Sequence, residues 1–166
     1  MNNHYFEGIY LKQQNKKDTL SLIPAYHVDK RGRSSASLQV ITNQQTCYVP
    51  FEAKDYRRDK KRELIYLGKN IFGRSGCQFD IKRKGISLKG YLHYDRLVAP
   101  SYDIMGPFRY VPFMECRHQV ISLSHQVEGK VCWNQKEYVF SGSRGYIEGD
   151  RGSSFPSQYL WTQASV

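Results

Sequence analysis

The sequence contains no apolar run longer than a few residues, which excludes a membrane-spanning helix. Its opening, Met1-Asn-Asn-His-Tyr5, has neither a charged segment nor an apolar one behind it, so no secretory signal is expected and a cytoplasmic location follows. Four cysteines (Cys47, Cys77, Cys116 and Cys132) include no C-x-x-C pair, and reduced thiols are the expectation. Tryptophan is scarce, at two residues, and no RNP-type motif or regularly spaced aromatic platform is present. That lack argues against a dedicated reader of single-stranded nucleic acid.

What is abundant is tyrosine, with 13 residues beside 8 phenylalanines. Tyrosine suits half-buried strands, where the ring packs inward and the hydroxyl finds a partner. Hydrophobic residues make up 40% and charged residues 24% of the 166, a globular composition that fits one domain spanning residues 1–166. The net charge is +10, and residues 54–62 hold six basic and two acidic groups. Such a run reads first as a solvated surface and second as an attractor of phosphates or nucleic acid.

Period-two alternation dominates. Ile86, Leu88, Gly90 and Leu92 share one face, and Ser87, Lys89, Tyr91 and His93 the other. With Gln78–Ile81 before it, this segment predicts a hairpin; Val127–Phe140 predicts a second, turning at Asn134-Gln135. Further strands are expected over Phe6–Gln13, Leu20–Ala25, Ser37–Thr42, Thr46–Val49, Glu63–Leu67 and Val120–His125. Short strands at this spacing predict an all-β fold: an antiparallel barrel or strongly bent sheet with at most one short helix, whose only candidate is residues 52–63. Pro100–Pro112 reads as a long loop across the mouth of that barrel.

Two clusters carry candidate chemistry. In an extended chain, Met114, Cys116, His118 and Val120 fall on one face and Glu115, Arg117 and Gln119 on the other. Cys116 and His118 alone do not make a zinc site; a histidine so placed is either a hydrogen-bonded core residue or the polar tooth of an apolar pocket. The second cluster runs from Gly145 to Gln163. Tyr146, Glu148 and Asp150 point the same way in a strand, with the two carboxylates within about 7 Å of each other. Such a pair either fixes a sharp corner or supplies an acid.

These residues also carry a resemblance. The pattern Gly145-Tyr146-x-Glu148-x-Asp150-x-Gly152, followed by Ser154-Phe155-Pro156-x-x-Tyr159-x-Trp161-x-Gln163, resembles the signature of the tocopherol cyclase-like family. The opening Phe6-Glu7-Gly8-Ile9-Tyr10-Leu11-Lys12 is similar to that family's Phe-Glu-Gly-Trp-Tyr-x-Lys, and Ser21–Pro24, Ser37–Val40 and Pro112–His118 fall in the expected order. Glu148-Gly-Asp150-Arg-Gly152 stands where plant cyclases have Glu-Lys-Asn-Trp-Gly, and Ile9 replaces a tryptophan. These departures fit a bacterial-type relative whose substrate need not be a tocopherol precursor.

The resemblance implies a lipocalin-like (calycin) fold in a protein of two related halves, of which this chain is the first; a second β half or a homodimer is the expected partner. It implies an apolar small-molecule ligand, such as a prenylated quinol closed to a chromanol by acid catalysis, with no metal or organic cofactor. On that expectation Glu148 or Asp150 is the acid and His118 or Glu115 assists. Tyr146, Phe155, Tyr159, Trp161, Phe108 and Met114 line the pocket, with the carboxylates turned into the barrel. The alternatives are a carrier that holds a prenylquinone, carotenoid or fatty acid without chemistry, a half that works only as a dimer, and a weak nucleic-acid binder through residues 54–62.

Overall fold

The alternation seen in the sequence becomes a single antiparallel sheet. The computed structural model describes residues 4–112 and 114–154. Eleven strands occur among them: β1 (Tyr5–Gln14), β2 (Thr19–Val28), β3 (Ser34–Thr42), β4 (Thr46–Glu52), β5 (Tyr56–Asp59), β6 (Leu64–Leu67), β7 (Asn70–Gly73), β8 (Gly76–Arg83), β9 (Ile86–Tyr94), β10 (Cys116–Trp133) and β11 (Lys136–Gly152). Their order in the sheet is β4-β3-β2-β1-β11-β10-β9-β8-β7-β6-β5, so the long β10–β11 ribbon holds two strips of neighbouring strands together. β4 and β5 are edges and do not pair with each other, so the sheet is bent without being a closed barrel.

One face forms the core. Leu11, Leu22, Leu38 and Ile147 from one strip pack with Leu67, Phe72, Leu88 and Val131 from the other in a single buried cluster. Each such leucine, fully removed from water, contributes roughly 1.5–3 kcal/mol, and that burial bends the sheet over. Side chains also span a seam between the edge strand β5 and the strands β1 and β2. Glu7 of β1 accepts hydrogen bonds from the Tyr56 hydroxyl (2.8 Å) and the Arg58 guanidinium (2.8 Å) of β5. The Tyr56 ring lies 5.1 Å from that of Tyr26 in β2. Glu7→Gln removes the ion pair across the seam and is expected to lower stability by about 1–2 kcal/mol in urea unfolding. An unchanged midpoint would mean that the seam contributes nothing.

Residues 52–63 are not a helix. They form one 3-10 turn (Ala53–Asp55), then β5, then a turn in which Asp59 accepts the backbone N–H groups of Lys61 and Arg62. The reason is a period of two hidden among charges, with Tyr56 and Arg58 both reaching Glu7. The turn at Asn134-Gln135 forms where expected, both residues taking positive φ (44° and 76°), as a two-residue hairpin loop requires. The segment 95–115 bridges to β10 through Val98 and Ser124 and includes a second 3-10 turn (Gly106–Tyr110). Its end is pinned where the Glu115 carbonyl accepts the N–H groups of Ser153 (2.8 Å) and Ser154 (3.2 Å). Gly152 permits that approach, since a Cβ there would stand 1.9 Å from the Glu115 oxygen.

Candidate functional site

The register of β1, β11 and β10 places Tyr10 opposite Glu148, Gly8 opposite Asp150, and His118 opposite Asp150 on its other side. Directly opposed residues in an antiparallel pair point to the same face. Ile9, Leu11 and Ile147 face the core; Tyr10, Tyr146, Glu148, Asp150 and His118 therefore face away from it. The carboxylates are not turned into the hollow of the bent sheet, as the barrel expectation had them, but lie on its reverse side. There the loop 95–115 roofs them over, with Met105, Val111, Pro112 and Met114 lining the cleft from above.

This cleft has a volume of about 1030 Å³. Its floor is Tyr10 from β1, Ile23 and Ala25 from β2, Ser37 and Gln39 from β3, and Tyr48 from β4, so it is mainly apolar, with its charged groups gathered toward one end. At that end a continuous polar row begins with the Tyr146 hydroxyl, which donates to Glu148 Oε2 (2.6 Å). The same oxygen lies 3.5 Å from His118 Nε2, and His118 Nδ1 donates to Asp150 Oδ1 at 2.6 Å. The Cys116 thiol stands 3.9 Å from the same Asp150 oxygen.

His118 thus sits between two carboxylates. The hydrogen bond to Asp150 raises its pKa above the ordinary histidine value against the opposing effect of burial, and the charges of Asp150 and Glu148 raise it further. An imidazolium in that position offsets the repulsion that two neighbouring carboxylates would otherwise feel. Burial pushes the Tyr146 hydroxyl upward, helped by Glu148, so it remains a proton-bearing donor. Burial and Asp150 together push the Cys116 thiol up to about 11, which leaves it inert as a nucleophile at neutral pH. Side-chain exposure grades along the row, from 10% for Glu148 to 25% for Asp150 and 28% for His118. A ligand in the cleft therefore meets the His118–Asp150 pair first. Such a pair can hold a proton, release it to a bound molecule and take one back.

The remaining sequence candidates are placed differently. Met114 lines the cleft. Glu115 borders it, but its carboxylate accepts the Ser154 hydroxyl (2.9 Å) and stays out of the polar row. Phe108 is exposed on the 3-10 turn. Phe155, Tyr159 and Trp161 lie outside the described residues. Tyr10 was not among the candidates, yet its ring lines the cleft, meets the Tyr146 ring edge-on at 6.4 Å, and its hydroxyl approaches Ser21 Oγ at 3.0 Å. Alternation through Phe6, Gly8 and Tyr10 was the available signal. Among the described residues, no group of three or more His, Cys, Asp or Glu side chains is arranged to hold a metal ion, and no helix is long and apolar enough to cross a membrane.

A family model described as tocopherol cyclase-like matches residues 77–166, more than half of the chain. The chain belongs to the tocopherol cyclase-like family. The match takes in β8 to β11, and with them His118, Tyr146, Glu148 and Asp150. The opening strands, which carry the similar Phe6–Lys12 segment and the cleft floor, precede it. No curated protein matches the sequence.

Proposed function

We propose that this tocopherol cyclase-like chain binds a prenylated quinol in the cleft and closes it to a chromanol by proton transfer from the His118–Asp150 pair. The observation that carries the reading is one continuous row, Tyr146–Glu148–His118–Asp150, at the end of a mainly apolar cleft. The protonated pair gives its proton to the less substituted alkene carbon of the prenyl chain, leaving a tertiary cation. The phenolic oxygen attacks that cation and forms the C–O bond. Its proton passes back to the row, so substrate and product are isomers and nothing is consumed. Apolar walls keep water from the cation, and the face of Tyr10 stabilises it. General acid catalysis of this kind contributes typically about 10²–10⁴-fold.

The test is incubation of the folded protein with a prenylated quinol and chromatographic detection of an isomeric chromanol. Because the donor must carry its proton, the rate is expected to hold at low pH and to fall as pH rises through the elevated His118 pKa. Quinol that binds and is recovered unchanged would replace cyclisation with the carrier reading, in which the same cleft stores an apolar molecule. A pH profile flat across the histidine range would remove His118 from the proton path.

A further inference from the structure

The roof of the cleft has two sides. Met105 and Met114 face inward. Of the eleven large hydrophobic residues exposed among the described residues, seven lie between Val98 and Leu123. Tyr102, Phe108 and Tyr110 are the most open of them, at 71%, 61% and 77% exposure. Scattered exposed apolar side chains need no explanation, but a concentration on one segment marks a contact surface. Its composition is that of a lipid interface, where rings sit at headgroup depth and arginine stems cover apolar surface beside them. Arg109 stands 5.2 Å from the centre of the Tyr110 ring and within 3.4 Å of Asp103, so one of the loop's three acidic groups is paired within it.

Charge points the same way. A vestibule of about 480 Å³, lined by Arg33 and Asp29, shares Phe6 and His27 with the cleft and continues it. The turn beside it presents Lys30 and Arg31 to solvent together with Arg33, which is paired with Asp29 at 2.7 Å, and the chain as a whole carries +10. A nucleic acid would answer the charge but leaves the aromatic loop without a role. The basic run 54–62 is also partly engaged: Arg58 pairs with Glu7, and Arg57 stacks 3.7 Å from the Tyr66 ring centre.

We propose that this chain docks on an anionic lipid bilayer through the outer side of the loop 95–115, with the basic turn at Lys30–Arg33 held to the headgroups. The cleft mouth would then open toward the phase in which prenylated molecules dissolve. That last point rests on the cyclisation reading; the docking itself does not.

The experiment is cosedimentation of the protein with vesicles of phosphatidylcholine alone and with about one-third phosphatidylglycerol, in the absence of any quinol. Wild type is expected to partition onto the anionic vesicles and only weakly onto the neutral ones. Phe108→Ser/Tyr110→Ser should reduce partitioning by about tenfold or more through lost apolar insertion. Lys30→Gln/Arg31→Gln should reduce it by a similar factor of about ten through lost headgroup attraction. All four positions are exposed, and an unchanged thermal midpoint establishes that each variant is folded. The proposal is overturned if wild type stays in the supernatant, if both variants sediment like wild type, or if single-stranded DNA binds and the loop substitutions leave vesicle binding intact. Sedimentation is read without substrate, so failure here leaves cyclisation standing, and failure to form chromanol leaves docking standing.

Discussion

Asp150→Asn is expected to lower the rate of chromanol formation by about 10²–10⁴-fold while the quinol still binds. The substitution keeps the shape of the side chain and an oxygen to accept from His118 Nδ1, so the 2.6 Å contact survives as a neutral hydrogen bond. What disappears is the negative charge that favours a proton on the imidazole. Asp150, through its hydrogen bond, is the largest single reason the His118 pKa stands above the ordinary value. The variant should therefore lose rate at neutral pH, and its descending limb should move to lower pH. Glu148→Gln acts on the deeper end of the row, where it leaves the Tyr146 hydroxyl an acceptor but weakens the second charge beside His118. Its effect should be smaller. An Asp150→Asn protein that is folded, binds quinol and cyclises it at the wild-type rate would end the assignment of the proton donor.

Gly129→Ala is expected to destabilise the fold by roughly 3–5 kcal/mol, a large fraction of the stability of an ordinary domain. Gly129 lies at a bulge in β10, where the register against β11 shifts between Val127 and Gly129. Its φ is 134°, and a Cβ would stand 2.1 Å from the Tyr91 carbonyl oxygen of β9. Backbone strain and a steric clash with main chain therefore add, and a carbonyl locked in a ladder cannot turn aside. Gly142, on β11 in the same ribbon, supplies the contrast. Its φ is also positive (56°), but nothing lies within 4 Å of an added Cβ. Gly142→Ala should cost only about 1–2 kcal/mol, the left-handed penalty alone. Urea unfolding of the two variants side by side reads the difference directly, and equal costs would mean that the close approach of β9 has no energetic weight.

The strands were legible where one face was apolar and the other polar. Ile86, Leu88 and Leu92 announce their strand in this way, and Asn134-Gln135 announces its turn. Residues 52–63 defeated the same reasoning. Both alternating positions there, Tyr56 and Arg58, are polar-tipped, and their buried partner, Glu7, lies far off in sequence. Alternation put Tyr146, Glu148 and Asp150 on a common side without saying which side. Both sides of that part of the sheet are covered, one by the core and one by the loop 95–115, so hydropathy does not distinguish them. The pairing of His118 with Asp150 lay further out of reach. It depends on the β10–β11 register, which shifts near Ser122 and again before Gly129, and no local pattern encodes those shifts.

Because Glu7, Tyr56, Arg58 and Tyr26 tie the edge strand β5 to β1 and β2 through side chains and not through a ladder, the sheet has a weak point and a strong one. Opening the join disturbs a few contacts and no hydrogen-bond ladder, so local breathing begins at β4 and β5. β1, and β11 from Arg144 to Gly152, are flanked on both sides and let go last, whereas β10 has β9 beside it only from Val127 to Trp133. Glu148 and Asp150 are mounted on β11 between β1 and β10, and His118 on the stretch of β10 that pairs with β11 alone. Tyr48, at the far end of the cleft, belongs to an edge that can yield. The molecule thus seats its two carboxylates in the doubly flanked middle of the sheet while leaving the other end of the cavity free to adjust to the length of whatever chain enters.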